Sequence, residues 1–223
     1  LPAWVGGESG QGLRRLADDQ GVLGGLPQRR AAVRDPMALQ QRLAASLVGH
    51  SHGGPTARYV AAVAPELVAS VTTVGSPHAG SKVADALKAV TSWTGTTGVV
   101  ASIANALAST IAFLSGSPNL PQDSLGSLQS LNTAGAADFN RRFPQAAPTS
   151  ACGQGAAVVN GVRYYSVGGT SVATNVFDIS DGLLVASSVF FGSEQNDGLV
   201  SRCSSHWGTV LKDNYAWNHL DEV

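Results

Sequence analysis

Charge is scarce in this chain. Of its 223 residues only 13% are Asp, Glu, Lys or Arg, about half the share usual in soluble proteins. The 14 basic and 15 acidic residues nearly cancel, for a formal net charge of −1. That leaves no basic stripe for nucleic acid and no polybasic membrane tether. Cysteine is scarce too. Cys152 and Cys203 allow either one bridge or two buried thiols, too few for a cysteine zinc site, and no C-x-x-C redox motif is present. Long apolar runs are missing: the best candidate, Val99 to Leu114, is short for a membrane span. Leu1 to Ala32 lacks the basic start and unbroken apolar stretch of a secretory leader. What is plentiful is apolar surface and glycine, with 43% hydrophobic residues and 26 Gly. This excludes disorder, which needs low hydrophobicity with high net charge. The length suffices for one domain that buries about 70% of its extended-chain surface. A weakly charged globular protein of this kind suits a hydrophobic ligand or a lipid–water interface.

The charges are unevenly placed. Residues 1–46 hold six arginines, four acids and no lysine, with a loop-like Gly24-Gly25-Leu26-Pro27 run. Met37 to Ser46 reads as helix. From Leu47 the pattern changes. A short apolar strand is followed by a helical run, Thr56 to Val63, with Tyr59, Val60 and Val63 at helical spacing. Pro65 ends it, and Val71 to Val74 reads as a second strand. Strand, helix, strand implies a βαβ unit and an α/β fold with a parallel sheet. Further along, Val162 to Val167 reads as a strand, Val185 to Phe191 as a strand or extended segment, and Val210 to Asp213 as helix. No charge occurs from Ala89 to Gln122. Within that stretch Val100, Ile103, Ala104, Leu107, Ile111 and Leu114 share one helical face. Three readings stand for it: a core helix, a lid whose apolar face opens to substrate, or a membrane anchor.

Chemistry enters at Gly49-His50-Ser51-His52-Gly53, a G-x-S-x-G sequence after the apolar Leu47-Val48 pair and before a helical run. A serine hydroxyl is a weak nucleophile. It must be presented to a base at a sharp strand-to-helix turn, with a following backbone N–H free for a developing oxyanion. A serine of this type needs an acid and then a histidine further along the chain. Asp197, in an Asn-Asp-Gly turn, is one of several possible acids; of the histidines, His206 and His219 follow it.

The long runs Gly49 to Ser81, Ser124 to Asn140, Pro148 to Ser166 and Gln195 to Val223 resemble the secreted true lipases of Gram-negative bacteria, a family of α/β-hydrolases. The likeness covers nearly all of 47–223. It implies an α/β-hydrolase sheet with helices on both faces, a lipase domain at 47–223 and an atypical segment at 1–46. It implies Ser51 as nucleophile, Asp197 as acid, His219 as base and the backbone N–H of His52 as oxyanion donor. It further implies a Cys152–Cys203 disulfide, a structural Ca2+ held by Asp178 and Asp221, and a lid at 95–116. The implied substrate is a triacylglycerol or other lipid ester at an interface. The implied location is extracellular, with a lipase-specific folding chaperone as partner.

Residues 1–46 depart from that pattern. The family places a strand ending in His-Gly well upstream of the serine, for a second oxyanion donor; here no histidine precedes His50. Val22 to Leu26 offers at most a degenerate substitute, about 25 residues before Ser51 and so too near for the usual strands and helices between. Relatives also continue past the position of Val223 with backbone carbonyls for the calcium and with further helices. The chain is therefore expected to be incomplete at both ends. Two readings compete with the lipase: a catalytically impaired fragment that only binds lipid, and a serine peptidase with the same elbow.

Overall fold

The computed structural model describes residues 44–91, 124–175 and 178–222. Residues 37–43 of the helix expected at Met37 to Ser46 and the lid at 95–116 lie outside the described residues, as does the candidate second oxyanion donor at Val22 to Leu26.

The first two strands and the helix between them form the expected βαβ unit. β1 is Ala45–His50, α1 is Gly53–Val63 and β2 is Val68–Val74. β1 and β2 pair in parallel from Ala45–Val68 to His50–Val74. Residues 45 and 46, expected at the end of a helix, belong to this strand instead, so the boundary expected between 46 and 47 falls inside β1. α1 stops where Pro65 begins a short 3-10 turn, since proline cannot supply the N–H that would continue the ladder. The apolar residues that signalled this helix face outward: Tyr59, Val60 and Val63 are exposed. The face on the sheet is Gly54, Ala57, Arg58 and Ala61. Small residues let the helix lie close over β1 and β2, and the aliphatic partners come from the strands.

Next along the chain are α2 (Lys82–Thr91), α3 (Ser124–Leu131) and α4 (Thr133–Arg142). A short β3 (Val158–Val159) turns back against β4 (Val162–Gly169), which pairs in parallel with β2. β4 alternates as a half-covered strand should: Val162, Tyr164 and Ser166 are buried while Arg163 is exposed. α5 spans Ile179–Ser188 and runs into a 3-10 turn, Val189–Phe191. The strand expected at Val185 to Phe191 is thus helical. A short apolar run has no period of its own, and here Leu184 and Ser187, three apart, are the residues turned fully inward. The opposite error occurs at Val210 to Asp213, expected helical. It lies in β5 (Thr209–Tyr215), parallel to β4, a strand with no fully buried residue in which Leu211, Lys212 and Asn214 are exposed, so no apolar alternation marks it in the sequence.

One core joins Ala57 and Ala61 of α1 to Val68 and Val71 of β2, Val162 and Tyr164 of β4, and Trp207. A second, smaller one packs Val83 and Leu87 of α2 against Phe191. Arg58 crosses from α1 to α4 inside the first. Its guanidinium donates to His78 Nδ1 (3.0 Å), Asn140 Oδ1 (2.9 Å) and the Phe143 carbonyl (3.0 Å), and it lies 3.3 Å over the Trp207 ring. Burial lowers its pKa to about 9.

Candidate active site

The site is assembled at the C-terminal ends of β1, β2 and β4, where the parallel sheet leaves side chains and loops free. Ser51 follows β1 directly and has a left-handed backbone (φ 52°), a conformation that stores about 1–3 kcal/mol in a residue with a side chain. Its N–H donates to the Val74 carbonyl at 3.0 Å, which fixes the turn to the end of β2. The turn is crowded on two sides. A Cβ on Gly49 would occupy the position of the Gly53 carbonyl, and one on Gly54 would meet the Ser76 side chain; Gly53 faces open space.

The structure brings together the three residues read as nucleophile, acid and base. His219 Nδ1 is 2.8 Å from Asp197 Oδ2, and its Nε2 is 3.0 Å from Ser51 Oγ. A carboxylate only accepts, so the proton is on Nδ1 and Nε2 is left to accept from the serine hydroxyl. The acid is held in place from below: Asp197 Oδ1 accepts from Leu199 N–H (2.9 Å) and Val200 N–H (2.7 Å). Asp197 and His219 are both buried. Burial opposes a charge on His219, but the Asp197 carboxylate, by charge and hydrogen bond, and the Glu222 carboxylate outweigh it and raise its pKa. His52 opens α1. Among the described residues its backbone N–H meets no acceptor, and it points from a helix N-terminus, where partial positive charge gathers. Its side chain borders a cavity of about 580 Å³ lined also by Tyr59, Pro77 and Phe139.

The other expected alternative, His206, is elsewhere. It bonds Asp213 Oδ2 at 2.9 Å and the Gly153 carbonyl at 3.1 Å. Cys152 and Cys203 are joined in a disulfide, which ties the loop after Asp197 to the segment before β3.

Asp178 and Asp221 are both reached through Thr174. Asp178 lines a hollow of about 470 Å³ with Thr174, Asn175 and Asp181. Asp221 Oδ2 accepts from the Thr174 hydroxyl at 2.6 Å, and buried Asp181 accepts from Thr174 N–H, Asn175 N–H and Asn218 Nδ2. Carboxylates and a hydroxyl, all oxygen, match the preference of Ca2+. Among the described residues a different trio, His50, His219 and Glu222, brings its possible metal-binding atoms within 4.8 Å of one another. However, the His219 atom facing Glu222 is Nδ1, 3.9 Å away, and Asp197 already holds it.

That trio contains two residues the sequence reading passed over. His50 Nε2 donates to the His219 carbonyl (2.9 Å). Glu222 has a fully buried side chain, and its Oε1 accepts from Gly169 N–H at 2.6 Å. Burial raises its pKa and the Asp197 charge adds to this, against the nearby His50 and His219 imidazoles and the Gly169 hydrogen bond. Gly75 has a left-handed backbone (φ 49°), where a side chain is strained, and a Cβ there would displace the Glu222 carboxylate. The one available signal for Glu222 was its position three residues after His219.

Comparison with known proteins agrees with this architecture. Residues 37–205 match the alpha/beta hydrolase fold. A triacylglycerol lipase of Vibrio cholerae is 47% identical over 197 residues, covering 88% of this chain and 63% of that protein. Triacylglycerol lipases of Pseudarthrobacter phenanthrenivorans and Burkholderia plantarii are each 42% identical, covering 95% of this chain and 76% and 67% of their own. The chain thus spans somewhat under two thirds of the Vibrio relative. Among solved structures, the mature form of a Bacillus licheniformis lipase superposes with a TM-score of 0.53 at 19% identity, over 83% of this chain and 65% of that one.

Proposed function

The chain belongs to the alpha/beta hydrolase fold family, and we propose that it hydrolyses carboxylic esters of lipids, triacylglycerols among them, through an acyl-enzyme on Ser51. The observation that supports this best is the continuous line from Ser51 Oγ through His219 to Asp197, with each step at hydrogen-bond length. In this reading His219 Nε2 takes the serine proton as Oγ attacks the ester carbonyl. It then returns that proton to the leaving alcohol. Asp197 keeps the imidazole in the required tautomer and balances the imidazolium. The His52 N–H meets the oxyanion, at the positive end of α1. Water then repeats the sequence on the acyl group.

Hydrolysis of a short and a long acyl ester should vanish in Ser51→Ala, and a serine-reactive phosphonate should modify Ser51 stoichiometrically in the unaltered chain. Activity that survives the substitution rules the mechanism out. Absence of labelling would favour the impaired, lipid-binding reading. A peptide-amide substrate run beside the ester separates the peptidase reading.

Three further parts of the proposal rest on the lipase relatives and on fit. Asp178 and Asp221 would hold Ca2+, which supplies positive charge to pin the turn bearing His219. The disulfide suits an oxidising compartment, in line with secretion. A folding chaperone would assist assembly, and refolding yield with and without a relative's chaperone tests it.

A further inference from the structure

Catalysis of the proposed kind depends on the distance between Ser51 and His219, and these residues arrive from opposite ends of the described chain. His219 lies on the turn after β5, which is anchored to Asp197, Gly169, Ser171, Thr174 and Asp181. The His219 backbone N–H donates to the Asp197 carbonyl at 2.9 Å. Asn218 Nδ2 reaches Asp181 (2.7 Å), and Glu222 reaches Gly169 N–H (2.6 Å). None of these involves the strand that carries the nucleophile. His50 does. It is the last residue of β1, immediately before Ser51, and its side chain is 12% exposed. Its Nε2 is 2.9 Å from the His219 carbonyl oxygen. A carbonyl cannot donate, so Nε2 carries the proton. The two imidazoles are 4.7 Å apart, centre to centre. The same Nε2 is 3.6 Å from Glu222 Oε2, a buried atom with no hydrogen-bond partner of its own among the described residues.

We propose that His50 is a positioning residue: by donating to the His219 carbonyl it ties the turn that carries the base to the residue next to the nucleophile. The 3.0 Å separation of His219 Nε2 and Ser51 Oγ is then set by one hydrogen bond and one peptide unit, not by the longer route through Asp197 and the sheet. His50 also faces Glu222, but at 3.6 Å, beyond hydrogen-bond length, so the tie is the single bond to the His219 carbonyl. The inference rests on the reading of His219 as the base.

The test uses two substitutions of similar length in the full chain. His50→Met removes the donor, and His50→Gln keeps a side-chain N–H near the place of Nε2. With a soluble short-chain ester, His50→Met should lower kcat about 10²-fold, the usual scale for a misplacement near 1 Å. KM should stay within about threefold, and phosphonate labelling of Ser51 should slow in parallel. His50→Gln should recover about tenfold or more of that loss. Full kcat in His50→Met, or equal losses in both variants at equal melting temperature, overturns the proposal. Should the variants not fold, the unaltered protein still decides. Its 15N imidazole spectrum must show His50 as the Nε2–H tautomer with a slowly exchanging proton, and a proton on Nδ1 refutes the tie. If unaltered protein is never labelled at Ser51, the base reading itself fails. If it is labelled and His50→Met is labelled equally fast, only the role of His50 falls.

Discussion

At the turn bearing Ser51 the three glycines do unequal work. Gly49 has the Gly53 carbonyl where a side chain would begin, and neither backbone can yield without moving β1 or α1. Gly54 faces Ser76, whose hydroxyl is itself buried against the Gly49 and Val74 carbonyls. Gly53, the second glycine of the G-x-S-x-G spacing, faces open space. Gly49→Ala should therefore destabilise the protein by about 1–3 kcal/mol, the range for overpacking. Gly53→Ala should be neutral or stabilising by up to about 1 kcal/mol, from helix propensity. Urea titration of the two variants checks both signs; an equal loss for each would mean that the motif spacing, not local crowding, dictates glycine here. Ser51 was legible from its motif, whereas order alone left Asp197 among several acids and His206 beside His219, and only the likeness to lipases singled out the pair that lies beside Ser51. His50 and Glu222 were not legible, because their importance lies in contacts between segments far apart in the chain, which no spacing records.

The elements show where local pattern suffices. The β1-α1-β2 unit could be read from alternating apolar runs and Pro65, yet the buried face of α1 could not, since its small residues look neutral in sequence. α5 and β5 were misread in opposite directions because each is short, and only pairing with β4 makes Thr209–Tyr215 a strand. β5 also carries an ion pair of consequence. Asp213 accepts from Arg202 Nε (2.7 Å) and Nη2 (3.1 Å), and from His206. The Arg202 hydrogen bonds hold the Asp213 carboxyl below its ordinary 3.8, with His206 adding to the effect against burial. A depressed folded pKa means that the stabilisation is complete above about pH 4 and is lost as pH falls through the folded value. Asp213→Asn should thus lower the melting temperature at pH 7, with the gap from the unaltered protein closing toward pH 2. Curves that stay parallel over that range would show that the pair contributes nothing through titration. The same segment holds Cys203. A loop of 51 residues closed by its bridge is worth about 4 kcal/mol on the loop-entropy argument, so Cys152→Ser should lower urea stability by that order. A loss under about 1 kcal/mol would indicate a denatured state already compact without it.

Over the whole molecule, the near-zero net charge hides a local concentration of acid. Asp181, Asp197, Asp221 and Glu222 converge on the turn after β5: Asp221 and Asp181 share Thr174 and Asn218, while Asp197 and Glu222 flank His219. Composition could not reveal this, because the four residues are balanced in the total by arginines placed elsewhere. Carboxylates gathered around one turn are held there by hydrogen bonds or by a bound cation. Hydrogen bonds serve Asp197 and Asp181 fully. Asp221 has the Thr174 hydroxyl at 2.6 Å and the Asn218 N–H at a long 3.3 Å, so a divalent cation shared with Asp178 would matter most to this carboxylate. Because Asp221 is two residues from His219, the ion's effect should reach both stability and rate. Chelation with EGTA should lower the melting temperature, and added Ca2+ but not Mg2+ should restore it, since the smaller ion demands a tighter octahedral cage. Asp221→Ala should melt at the chelated temperature with or without Ca2+. If EGTA leaves the unaltered protein's melting point unchanged, these carboxylates are held by hydrogen bonds alone and the calcium proposal is wrong.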